Sequence, residues 1–280
     1  MTYESLVQSI DALPPLSDAT LQVQKLYEKS STDVDIGKLV NAIESDDLLT
    51  ANILKIINAP IYGFSKEIIS VTQAVTLFGT QNIYGLVLHY AINEKIKANT
   101  RIFGVSATTF NDICHLQSAL LMQWYSKIDP RQTHFLTSLA LIMESGKLLL
   151  AQEITKNNDV KEYKEGYEGC FDTSEYEDSM LGTTSYFISA LLFEHWNFNP
   201  IYVDILKYID YEKDDISQKI MGYLDTLNVI KTAINTKEIL TKKSVLRACS
   251  HVKEMGLNAD YFIDVALRVK RNYLFSLKNR

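Results

Sequence analysis

Apolar residues recur at helical spacing along almost the whole chain, and no stretch alternates apolar and polar side chains over the length of a strand. Such a chain has to bury helix stripes against helix stripes, so the expected class is all-α. Ile36, Leu39, Val40 and Ile43 follow the i, i+3, i+4, i+7 template, with Asp35 placed to cap. Leu49, Ile53, Ile56 and Ile57 make a second stripe, capped by Asp46 or Asp47 and stopped before Asn58, Ala59 and Pro60. Ser70 to Gln73 has the form of a capping box opening a short helix over 71–78. Gly79 is expected to end that helix in the left-handed conformation, and Thr80 to cap a longer one carrying Ile83, Leu86, Val87 and Tyr90. Further helices are expected over 110–127, 133–152, 178–196, 200–210, 216–235, 241–255 and 259–277. The segment 159–177 is acidic, rich in tyrosine and holds Gly166 and Gly169, so it reads as a surface excursion.

Composition narrows the function classes. At 280 residues the chain can bury a core without a covalent or metal staple. A net charge of -6 argues against a protein built to hold nucleic-acid backbone. The two helices around Gly79 could form a DNA-reading pair, but residues 81–94 carry no Lys or Arg for phosphates or guanine edges, so nucleic acid is not the expected partner. Cys114, Cys170 and Cys249 are odd in number and widely spaced, which suggests neither a disulfide framework nor a zinc site and fits a reducing compartment. The first ten residues lack the pattern of a secretion signal, and no apolar run is expected to reach bilayer length; the expectation is cytoplasmic, without membrane.

The stretch 13–92 resembles the amino-terminal lobe of the HDOD family, bacterial regulatory domains similar in fold to HD phosphohydrolases. The resemblance rests on Leu13-Pro14-Pro15-Leu16, on the run from Ile43 to Ala51, on Ile57-Asn58-Ala59-Pro60-Ile61-Tyr62-Gly63, and on the run from Ile69 to Gly79. Asp47 and Pro60 depart from the usual pattern. The resemblance implies a two-lobed helical fold: an HDOD domain over 13–210, with a first lobe over 13–98 and a degenerate HD-like lobe over 110–210. A helical extension over 211–280 completes a single body over 1–280. Asn58, Tyr62, Gly63 and Gln73 are expected mainly to fix the first lobe, and secondarily to line a ligand or partner surface.

HD phosphohydrolases hold one or two metal ions with sets of His and Asp ligands. By resemblance His115 stands at the first histidine and Met143-Glu144 at the His-Asp pair. Thr184 and Ser185 stand where an acidic residue and a histidine would be, and Asp210 where a paired histidine often ends the domain. Methionine is a poor ligand for hard cations, so the resemblance implies a lost metal set, no catalytic residue and no cofactor. His89, His134, His195 and His251 show no metal-binding spacing, and no P-loop, GxSxG or GxGxxG is present. The function implied is non-catalytic signal transduction by binding a protein partner, or a small molecule or nucleotide, with the groove between lobes and the 159–177 segment as surfaces. Two alternatives stand beside it: a divergent metal-dependent phosphohydrolase, and a nucleotide or nucleic-acid binder using the basic carboxyl-terminal helices.

Overall fold

Side chains next to the helix ends set where several helices of the amino-terminal part begin. The computed structural model describes residues 3–29, 34–64, 66–211 and 217–278. Its first six helices are α1 (Tyr3–Asp11), α2 (Asp18–Lys29), α3 (Ile36–Glu44), α4 (Asp47–Ile57), α5 (Val71–Phe78) and α6 (Thr80–Lys95). Asp35 caps α3 by accepting from the Lys38 amide at 3.0 Å. Asp46, not Asp47, caps α4, accepting from the Leu49 amide at 2.9 Å. Leu39, Val40 and Ile43 pack inward with Leu49, Ile53 and Ile57, whereas Ile36 is exposed.

Two local expectations change. Ser70 accepts from the Gln73 amide at 3.2 Å, but Gln73 Oε1 reaches past Ser70 to the Ile69 amide at 3.1 Å. Gly79 has φ 87° and ψ 149°, outside the left-handed helical well though still at a φ that favours glycine. With that geometry α6 starts at once: Thr80 is its first residue, Gly79 takes the cap position, and no side chain caps the helix.

The chain continues through α7 (Ala107–Tyr125), α8 (Pro130–Ile142), α9 (Ser145–Lys156), α10 (Val160–Gly169) and α11 (Thr173–Leu181). Beyond these lie α12 (Ser185–His195), α13 (Pro200–Tyr208), α14 (Gln218–Ala233), α15 (Lys242–Glu254) and α16 (Ala259–Lys278). The expected helix over 133–152 is two helices, broken at Met143 and Glu144. The expected helix over 178–196 is broken at Gly182, and Thr184 caps its second half by accepting from the Phe187 amide. Ile216, the expected start of the next helix, lies outside the described residues. Among the described residues there is no strand, only an isolated bridge between Ile234 and Ile239.

The 159–177 segment is not a surface excursion. Tyr163 and Tyr167 of α10 stack with ring centroids 5.6 Å apart, and they pack with Leu6 and Ile10 of α1, Phe103 and Leu150 as a second apolar cluster. The tyrosines bring enough apolar area to offset the acidic residues beside them, which face water. The main cluster runs from Leu16 to Tyr273 and so includes α14 to α16; Phe262 of α16 meets Trp124 of α7 edge-on at 5.1 Å. Pro130–Lys156 is long and apolar enough to cross a bilayer, contrary to the sequence expectation, yet 89% of its most apolar window is buried against other parts of the protein.

Candidate functional site

The break between α8 and α9 is a packing device. The Gly146 amide donates to Ser189 Oγ at 2.7 Å, and that hydroxyl donates to the Met143 carbonyl at 2.7 Å. A Cβ on Gly146 would lie 1.9 Å from the Ser185 carbonyl oxygen, so only glycine lets the start of α9 press this close to α12. The contact delivers Lys147 into the interior, where its side chain is 2% exposed.

Lys147 Nζ donates to Ser185 Oγ at 2.6 Å and lies 3.2 Å from Glu144 Oε2 and 3.5 Å from Glu177 Oε1. Both carboxylates are themselves buried and held by other donors. Glu144 Oε1 accepts from Gln117 Nε2 and from the Tyr186 hydroxyl, each at 2.8 Å. Glu177 Oε2 accepts from the Ser185 amide at 2.7 Å. Burial by itself would drive the Lys147 ammonium toward neutrality, but Glu144 and then Glu177 outweigh it and hold its pKa above the ordinary lysine range. Burial pushes the Glu177 carboxyl up, against the pull of Lys147 and Ser185.

The residues singled out by resemblance do not converge here. Glu144 is at the centre and Ser185 touches Lys147. Met143 is buried in the main apolar cluster, and Thr184 serves as the cap of α12. Asp210 pairs with Lys231, whose Nζ lies 4.9 Å over the Tyr186 ring. His115 points elsewhere: Gln117 of the same helix reaches Glu144, and two residues of α-helix turn through roughly 200°. His115 Nδ1 is instead hydrogen-bonded to the Tyr62 hydroxyl at 2.8 Å, and its ring meets His89 at 4.9 Å. Among the described residues no three His, Cys, Asp or Glu side chains form a group that could hold a metal ion. Lys147, Gln117 and Tyr186 escaped the sequence reading, and Glu177, expected on the acidic surface segment, is instead buried. The spacing of Glu144 and Lys147, three apart on one helical turn, was the one available signal.

The first-lobe residues have structural partners. Asn58 Nδ2 donates to the Ile68 carbonyl and Asn58 Oδ1 accepts from the Ile68 amide, both at 2.8 Å, which ties the end of α4 to the approach to α5. Gly63, at φ 74°, closes the 3-10 turn Pro60–Tyr62 that places Tyr62 against His115. Gln73 secures the start of α5. A cavity of about 500 Å³ opens between α4, α6 and α7, bounded by Ile56, Ile61, His89, Asn93, Asn111 and His115. A second, of about 320 Å³, reaches Tyr186 and is rimmed by Lys231, Lys237, Lys243 and Arg247. Of these cations, Lys231 pairs with Asp210, Arg247 pairs with Glu238, and Lys237 donates to carbonyls at the end of α10.

The HDOD domain model matches residues 13–211. The fold is similar to that of a protein named for signal transduction from Marinobacter aquaeolei VT8, at TM-score 0.72 and 18% identity over 99% of this chain and 60% of that one. It is also similar to a protein named as a phosphohydrolase from Shewanella amazonensis SB2B, at TM-score 0.68 and 18% identity over 95% and 93% of the two chains. An uncharacterized protein of Treponema pallidum (strain Nichols) is 28% identical over 83 residues, 30% of this chain and only 16% of that protein's length.

Proposed function

This chain belongs to the HDOD domain family, and from that membership we propose that it is a regulatory protein of bacterial signal transduction, acting in the cytoplasm by binding rather than by catalysis. The two named structural neighbours point to signalling and to phosphate-ester hydrolysis, and at 18% identity both speak only for the fold. The donor set carries the reading. Lys147 stands between Glu144 and Glu177, so the position where two carboxylates could gather a cation is filled by the protein's own ammonium. Like unit charges about 4 Å apart repel by ~4 kcal/mol at an effective dielectric near 20, and a divalent ion doubles that. With Met143 in the apolar core and His115 on another face of α7, the residues present do not fit a hydrolytic metal centre.

A helical scaffold without that chemistry acts by occupancy: a protein partner of a signalling pathway, or a small molecule or nucleotide, binds and shifts it. Nucleic acid fits poorly, because three of the four cations around the 320 Å³ cavity are engaged by internal acceptors. The test pairs two assays on the full chain. Hydrolysis of bis(para-nitrophenyl) phosphate with Mg, Mn or Fe should not exceed the blank, and affinity capture from the native cell should return a stoichiometric signalling partner. Metal-dependent turnover abolished by Glu144→Gln would overturn the reading.

A further inference from the structure

The cavity between α4, α6 and α7 differs in chemistry from the buried Lys147 cluster and from the basic cavity beside it. Three asparagine amides and two imidazoles, with Tyr90 and Thr108, supply its polar wall, while Ile56 and Ile61 supply an apolar one. Lys55 and Asp112 also border it, one cation and one anion, so the cavity selects for no net charge. Its volume of about 500 Å³ lies in the range of small-molecule sites, roughly 300–1,000 Å³.

The polar groups are held in place before any ligand arrives. Asn93 Nδ2 donates to the His89 carbonyl at 2.8 Å, which fixes the amide plane. His89 is packed edge-to-face against His115, and burial lowers its pKa to about 4, leaving a neutral ring that is hydrogen-bonded to the Leu141 backbone and the Asn111 side chain and so helps to hold that amide in the cavity wall. The amides present donors and acceptors side by side, the complement to the edge of a planar heterocycle, and flanking aliphatic side chains suit its faces. We propose that this cavity is a binding site for an uncharged, planar, hydrogen-bonding heterocycle of nucleobase size. The proposal rests on the small-ligand arm of the function proposed above and names the site and ligand class for it. Occupancy there bears on the Tyr62–His115 hydrogen bond, which joins the 3-10 turn of the first lobe to α7.

The test is calorimetric titration of the full chain with adenosine, guanosine, cytidine and uridine in turn. Two variants come from different walls: Ala59→Leu fills the cavity from a position that carries no side-chain hydrogen bond, and Asn111→Leu removes an amide. Lys243→Ala, in the other cavity, is the control. Circular dichroism melts establish folding, and either folded variant suffices. The expected result is saturable binding of at least one nucleoside, weakened about tenfold or more by the wall variants and unchanged by the control. No saturable binding by any of the four, binding indifferent to the wall variants, or binding lost in Lys243→Ala would each overturn the proposal. A signalling partner captured by a protein that binds no nucleoside would leave the regulatory reading standing and remove only this site.

Discussion

The Lys147 ammonium lies 3.2 Å from the Glu144 carboxylate with both side chains at most 2% exposed. An ion pair so deep gives little net stability over an apolar filling, but it is costly to break from one side. Lys147→Met leaves Glu144 and Glu177 facing each other without a cation, and should destabilise by about 3–5 kcal/mol. The double variant Lys147→Met with Glu144→Gln should recover a measurable part of that loss in urea unfolding. Strict additivity of the two substitutions would show that the pair is not coupled.

Glycine substitutions at two helical positions should move stability in opposite directions. At Gly146 the added Cβ meets backbone of α12, so Gly146→Ala should cost 3 kcal/mol or more, at or above the roughly 1–3 kcal/mol usual for overpacking. At Gly222, inside α14, an added Cβ meets nothing within 4 Å, and Gly222→Ala should stabilise by about 0.5–1 kcal/mol. Denaturant midpoints of both variants decide the matter.

Acid should weaken the fold through His89. Its pKa falls from the ordinary 6.5 to about 4 because burial disfavours the charged ring. Above pH 6.5 the ring is neutral whether folded or unfolded and contributes nothing to the pH dependence. Between pH 6.5 and about 4 the unfolded chain takes up a proton that the folded one does not, so stability drops, by ~3 kcal/mol at 1.36 kcal/mol per pH unit. Urea unfolding from pH 7 to 4 should show this slope in the native protein, and His89→Gln should flatten it.

Charge reversal along the acidic segment separates buried from solvated positions. Glu168 and Glu175 are exposed, and Glu168→Lys and Glu175→Lys should change stability by no more than about 0.5 kcal/mol. Glu177 is fully buried against Lys147, so Glu177→Lys sets two ammonium groups together and should cost several-fold more. Thermal melts of the three variants compare them directly.

What was legible in the sequence was what short-range chemistry decides. Asp35, Asp46 and Ser70 cap the helices that follow them because a cap acts on an amide three residues away. The all-α class followed from apolar spacing, and the family from motif runs between Leu13 and Gly79 that lie inside the matched domain. The central cluster was not legible, since Gln117, Lys147, Glu177 and Tyr186 come from α7, α9, α11 and α12 and meet only when Gly146 lets two helices touch. The acidic setting of 159–177 concealed both the stacked Tyr163 and Tyr167 and the buried Glu177. Position along the chain fits His115 to a metal set, but the helix turns its ring toward Tyr62 and His89.

The Lys147 ammonium supplies the positive charge between Glu144 and Glu177. Calorimetric titration of the purified chain with Mn²⁺, with metal content measured on the same preparation, tests it most directly. No saturable binding and only trace metal are expected. One ion per chain, lost in Glu144→Gln, would contradict this.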